Sequence, residues 1–199
     1  MNTSTHQLQD QVGLRAPLLF AAVILLGFGL SYSLAGATLG RLLFPAAATG
    51  STLQRDGHVV GSALVAQPFA DARYFQPRPS AANYDPMAAA GSNMARSNPA
   101  LQERVQAAIT AVAAREGVPA AQVPGDLVTQ SGAGMDPEIS PAAAQVQVAR
   151  VARSRGLPAE RVTALVQANT LGPQWGVFGQ ARVNVMTLNL ALEDLKARP

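Results

Sequence analysis

The run APLLFAAVILLGFGLSYSLAGATLG, residues 16–40, carries no charge and lies between Arg15 and Arg41. As a helix rising ~1.5 Å per residue it is longer than the ~30 Å hydrocarbon core of a bilayer, so it can cross with some tilt. A cleaved signal peptide is the competing interpretation, and Ala46 and Ala48 after Pro45 imitate a cleavage site. Signal peptides have an apolar region of roughly 7 to 15 residues, however, and this run is well past that. The expectation is a signal anchor: a short polar tail over residues 1–15, containing His6 and Asp10, a transmembrane helix over 16–40 in contact with membrane lipid, and one soluble domain over 41–199.

Small residues mark one side of the predicted span. Gly29, Ser33, Ala37 and Gly40 recur at four- and three-residue intervals, and Gly36 with Gly40 forms a small-xxx-small pair. Where lipid is as apolar as the helix, close approach over small residues is how spans associate, so Gly36 and Gly40 are candidate interface residues. The blander alternative is that Gly is simply commoner in membrane helices than in soluble ones.

Residues 41–199 are enough for a domain that buries roughly 70% of its unfolded surface. No Cys is present, which excludes disulfides, thiolate metal sites and cysteine nucleophiles. The net charge of +3 comes from 15 Lys and Arg against 12 Asp and Glu, and the Arg residues are scattered, so no nucleic-acid surface is indicated. Basic residues flank the span on both sides and do not set its orientation.

After the linker PAAATGST, residues 45–52, Asp56-Gly57 supplies the positive φ angles of a tight hairpin. Val59, Val60, Leu64 and Val65 follow as a β-type run interrupted at Gly61-Ser62. Residues 69–99 are rich in Pro, Asn, Gly and Ser yet carry Tyr74, Phe75 and Tyr84, so an ordered segment packed against the domain is expected. Pro77 and Pro79 hold Arg78 extended between them.

Three helices are then predicted from their ends. Asn98 and Pro99 open the first, which shows Leu101, Val105, Ile109 and Val112 on one face and stops at Gly117. Ser140 and Pro141 open the second, with Ala144, Val148 and Val151 as its stripe. Arg150, Arg153 and Arg155 lie near its negative end before Gly156. The third begins at Pro158, buries Val162, Leu165 and Val166, and stops near Asn169. Residues 126–129 read as a short strand, ARVNVMTLN from Ala181 as another, and Leu190, Leu192 and Leu195 suggest a last short helix. The fold class is α+β, a small antiparallel sheet with helices over one face.

The loop SGAGMDP, residues 131–137, is Gly-rich and leads towards a helix N-terminus, where free N–H groups can hold an anion. It lacks the Lys-Ser/Thr pair of a Walker A loop, and Pro137 stands where a third Gly would complete GxGxxG. Asp136 and Glu138 beside the helix start fit capping and dipole compensation. Catalytic constellations are nearly excluded, with His6 and His58 the only histidines, no GxSxG elbow, no HExxH and no calcium-type loop.

Three blocks carry a resemblance to a known family: GSALVAQPFADARYFQPRPSAANY from Gly61, DLVTQSGAGMDPEISPAAAQVQVARVARSRG from Asp126, and VNVMTLNLAL from Val183. SNMARSNP, from Ser92, falls between the first two. The chain resembles the C subunit family, KdpC, of the bacterial Kdp potassium-transporting ATPase over nearly its whole length. Ala133 and Met135 depart from the family's SGSGLDP pattern.

The resemblance implies an accessory and assembly subunit, not an enzyme on its own, beside a channel-like subunit that carries K+ and a P-type ATPase subunit that hydrolyses ATP. It places the chain in the inner membrane with its N-terminus cytoplasmic and its domain outside. The family has also been described as a catalytic chaperone that raises the pump's ATP affinity, although a domain beyond the membrane cannot touch cytoplasmic ATP. If that nucleotide association holds here, the contacts expected are Gln147, Arg150 and the N–H groups of Ser131, Gly132 and Gly134. No covalently bound cofactor is implied. Tyr74, Arg78 and Tyr84 are the expected contacts to the partner subunit, Arg78 in particular because no acidic residue lies near it in sequence.

Overall fold

The computed structural model describes residues 13–196, and the predicted polar tail with His6 and Asp10 lies outside the described residues. The chain divides between Gly50 and Ser51 into two units.

The first unit is a helix. It runs from Arg15 to Leu43, 29 residues, or about 43 Å at ~1.5 Å per residue, and so continues three residues beyond the predicted end. It comprises α1 (Arg15–Val23), a π-helical stretch (Ile24–Leu30) and α2 (Ser31–Leu43), and a single turn α3 (Pro45–Ala48) follows. None of its side chains is buried. An exposed apolar cylinder of this length is suited to crossing a membrane.

The second unit opens with the hairpin of β1 (Thr52–Arg55) and β2 (His58–Ser62), turned by Asp56 and Gly57 at φ 51° and 78° as their sequence demands. The strand stops at Ser62, whose Oγ accepts from Leu64 N at 3.0 Å, so Leu64 and Val65 lie beyond it. The predicted helices follow. In α4 (Pro99–Glu116) the Asn98 side chain accepts from Ala100 N, and in α5 (Pro141–Arg155) Ser140 accepts from Ala143 N; left-handed Gly117 and Gly156 end them. Next comes α6 (Ala159–Ala168), ending at Asn169.

A three-stranded antiparallel sheet, in the order β3-β5-β4, is formed by β3 (Glu138–Ile139), β4 (Thr170–Leu171) and β5 (Arg182–Asn184). Among the described residues the expected small antiparallel sheet is thus accompanied by the separate two-stranded hairpin. The core gathers Phe75, Val112, Ile139, Val148, Val151, Val162, Val183, Leu188 and Leu192 from the helices, this sheet and the irregular segment. Each fully buried side chain of this size contributes roughly 1.5–3 kcal/mol.

Two strand expectations are corrected. Residues 126–129 do not form a strand: Gly125–Leu127 is a 3-10 turn. Leu127 and Val128 are adjacent and both buried, which a one-faced strand cannot achieve because its side chains alternate. Near the end, the strand stops at Asn184, and α7 (Val185–Lys196) starts at once. Asn184 Oδ1 accepts from Thr187 N at 3.1 Å and caps that helix. Val185, Leu188 and Leu192 then enter the core at helical spacing; the alternation of ARVNVMTLN had concealed it.

Candidate functional site

Residues 66–91 contain no strand and one short 3-10 turn, yet they cross the domain as a strap held by side chains from distant elements. Gln147, fully buried on α5, accepts from Gln76 N at 2.7 Å and donates back to Gln76 O at 3.1 Å. Asn189 on α7 treats Phe75 the same way, at 2.9 and 3.0 Å. Two side-chain amides therefore supply what a neighbouring strand would supply to an extended backbone, which lets Phe75 enter the core without unpaired N–H or C=O groups.

Arg150 holds the next turn of the strap. Its Nη1 donates to Ala72 O and Tyr74 O at 2.6 and 2.9 Å, its Nη2 to Gln147 Oε1 at 2.8 Å, and its Nε to Glu116 Oε2 at 2.8 Å. Glu116 is buried at the end of α4 and also pairs with Arg115. A buried charge is tolerable only when paired and hydrogen-bonded, and here both members are. Dipole compensation, expected for Arg150 from its place near a helix end, is not its main work.

Arg155 continues the series. It donates to Arg73 O at 2.8 Å, lies 5.0 Å from the Tyr74 ring centroid and pairs with Glu193. Burial pushes Glu193 upward, but hydrogen bonds from Arg155 and Tyr74 with the charges of Arg155 and Arg55 outweigh it and hold the carboxyl below its usual value. Tyr74 packs against Phe69, with ring centroids 5.4 Å apart.

The far end of the strap meets the Gly-rich loop. Arg78 Nη1 lies 2.9 Å from Asp136 Oδ2, Tyr84 donates its hydroxyl to Arg78 O at 2.8 Å, and Ser131 N donates to Pro79 O at 3.3 Å. Burial raises the Tyr84 phenol above its usual value. Gly134, at φ 73°, sits where a Cβ would come within 2.9 Å of Ala90 O, and a Cβ on Gly91 would come within 2.7 Å of Gly132 O. The loop and strap touch backbone to backbone, which only glycine permits.

Most of the site residues expected from sequence are thus brought into one network. Gln147, Arg150, Ser131, Gly134, Tyr74, Arg78 and Tyr84 all belong to it, whereas Gly132 is exposed beside it. No acidic residue lies near Arg78 in sequence, and the fold supplies one from 58 positions away: Asp136. The capping role expected of Asp136 and Glu138 is corrected, since Glu138 on β3 pairs with Arg182 Nε on β5 at 2.9 Å, and neither acts as a helix cap. As a nucleotide cradle the arrangement does not fit. Gln147 and Arg150 are 0% and 7% exposed and their polar groups bond within the domain, while Gly134 N donates to Ser131 O. Gly36 and Gly40 belong to the other unit, and a Cβ at either would meet open space.

What fold and site define is a class: a mixed α and β domain with an internally strapped segment, carried behind one apolar helix long enough to cross a membrane. The family model described as "K+-transporting ATPase, c chain" matches residues 14–194. The potassium-transporting ATPase KdpC subunit of Xanthomonas campestris pv. campestris (strain B100) is 57% identical over 193 residues, covering 97% of this chain and 92% of the relative. That of Shewanella putrefaciens (strain CN-32 / ATCC BAA-453) is 51% identical over 198 residues, 98% of each. The chain belongs to the KdpC family.

Proposed function

We propose that this chain is the accessory and assembly subunit of a Kdp-type potassium-uptake complex, anchored in the bacterial inner membrane by residues 15–43 with its N-terminus cytoplasmic and its domain extracytoplasmic. The observation that carries this is the family match across both the apolar helix and the domain. The domain's chemistry supports the same conclusion: the buried polar side chains Gln147, Arg150, Glu116 and Asn189 hold the strap in place. Its work is to offer surfaces, one along the small-residue side of the span and one on the domain, to the channel-like subunit that binds K+ and, through it, to the ATP-hydrolysing subunit. Membrane lipid covers the remaining faces of the helix.

The test is to express the channel-like and ATPase subunits with and without this chain. Expected without it are loss of their co-purification in detergent and loss of growth at low potassium. An undiminished complex that transports K+ in its absence would overturn the assignment.

A further inference from the structure

The loop between β4 and β5 projects an apolar tip. Gln174 N donates to Phe178 O at 2.8 Å and Phe178 N to Gln174 O at 2.9 Å, closing a small hairpin over residues 174–178. At its end Trp175 is 83% exposed, Val177 76% and Phe178 62%. The Trp175 and Phe178 rings meet edge to face with centroids 6.0 Å apart. Trp175 has φ 54°, a left-handed conformation that costs a residue bearing a Cβ roughly 1–2 kcal/mol. Trp175, Val177 and Phe178 all lie outside the hydrophobic core cluster of the described residues.

We propose that this tip is the anchor by which the domain docks onto the channel-like subunit of the potassium-transporting complex, a proposal that rests on the accessory-subunit assignment above. Residues 162–181 include no Asp, Glu, Lys or Arg, and Arg182 at their end is paired with Glu138. Surface-bound membrane segments are typically rich in Lys and Arg that meet anionic headgroups, and this tip has none. Instead it presents two aromatic rings packed edge to face, and large-area aromatic groups of this kind dominate protein interfaces. Phe178 also lines a cleft of about 620 Å³ with Arg78, Glu138 and Arg182 on its walls. The apolar tip therefore borders a charged slot, matching an interface with an apolar centre and a polar rim.

Trp175 is the sole tryptophan of the chain, which makes the test specific. The triple variant Trp175→Ser, Val177→Ser, Phe178→Ser, made in the full chain and co-expressed with the other subunits, is expected to co-purify with them about ten-fold less or worse, with an unchanged thermal midpoint. A photoreactive residue at Val177 of the otherwise unaltered chain is expected to crosslink to the channel-like subunit. Wild-type co-purification, run alongside, tests the subunit assignment separately. If wild type associates and the variant does so equally, or if no crosslink forms, the docking proposal is overturned. The full chain alone in phosphatidylcholine vesicles is expected to show red, water-exposed Trp175 emission. A blue shift with quenching by brominated lipid would assign the tip to the bilayer and overturn the proposal.

Discussion

Gln147 on α5 and Gln76 in the strap, 71 positions apart, are joined by a reciprocal pair of hydrogen bonds from one side-chain amide to one residue's backbone. Arg150, one turn further along α5, donates to the Gln147 oxygen and to two more strap carbonyls. One helix face thereby orders a segment whose own sequence favours no regular structure. Glu116 at the end of α4 neutralises the guanidinium that does so.

Breaking that ion pair from either side is expected to be costly. Arg150→Ala leaves the Ala72 and Tyr74 carbonyls without their donor and the buried Glu116 carboxylate with Arg115 as its remaining ion-pair partner, and Glu116→Ala leaves a buried guanidinium without its counter-charge; each should lower stability by about 3–5 kcal/mol. Replacing both together, as Glu116→Leu with Arg150→Met, should recover part of the loss. Urea unfolding of the full chain in detergent, followed by circular dichroism, measures all three.

Arg78→Ala is expected to destabilise the domain by about 1.5–3 kcal/mol, since it strips a charged partner from half-buried Asp136. The pair gives Arg78 a role inside the domain that its sequence neighbourhood does not reveal. Asp136→Asn should cost about as much, and the double variant less than the sum. Thermal midpoints of the four proteins check it.

Isothermal calorimetry of the full chain with ATP is expected to give no saturable heat at millimolar nucleotide, because Gln147 and Arg150 would have to leave the strap before they could meet a base or phosphate. Saturable binding at one nucleotide per chain would show that the strap opens.

Gly36→Leu with Gly40→Leu should leave the chain inserted in the membrane but lost from the complex during detergent purification. The two glycines lie one turn apart on the helix, and small residues at that spacing let a neighbouring helix pack closely. Equal co-purification of the double variant would place the helix contact elsewhere.

The folded Glu193 carboxyl is held below its ordinary value of 4.5. Its contribution to stability is therefore fully present above the unfolded value and is lost as pH falls through the lower folded one. Glu193→Gln should flatten that part of the stability profile on the acid side of the ordinary value of 4.5, read as thermal midpoint against pH, and leave the profile at neutral pH parallel to wild type.

Sequence alone determined the features whose causes are local. The apolar helix follows from an uncharged run, the first hairpin from Asp56-Gly57, and the limits of α4 and α5 from Asn98-Pro99, Ser140-Pro141, Gly117 and Gly156, because caps and turns act within a few residues. The family blocks were legible for the same reason: they are contiguous. Tertiary structure alone decided what the polar residues do. Arg78 meets Asp136 across 58 positions, Arg150 meets Glu116 across 34, and Asn189 meets Phe75 across 114. The choices at 126–129 and at Val185 also turned on distant packing, since Leu127, Val128, Val185 and Leu188 enter one core together. Pairing a buried charge or filling a core depends on which surfaces the folded chain brings together, and no spacing along the sequence specifies that.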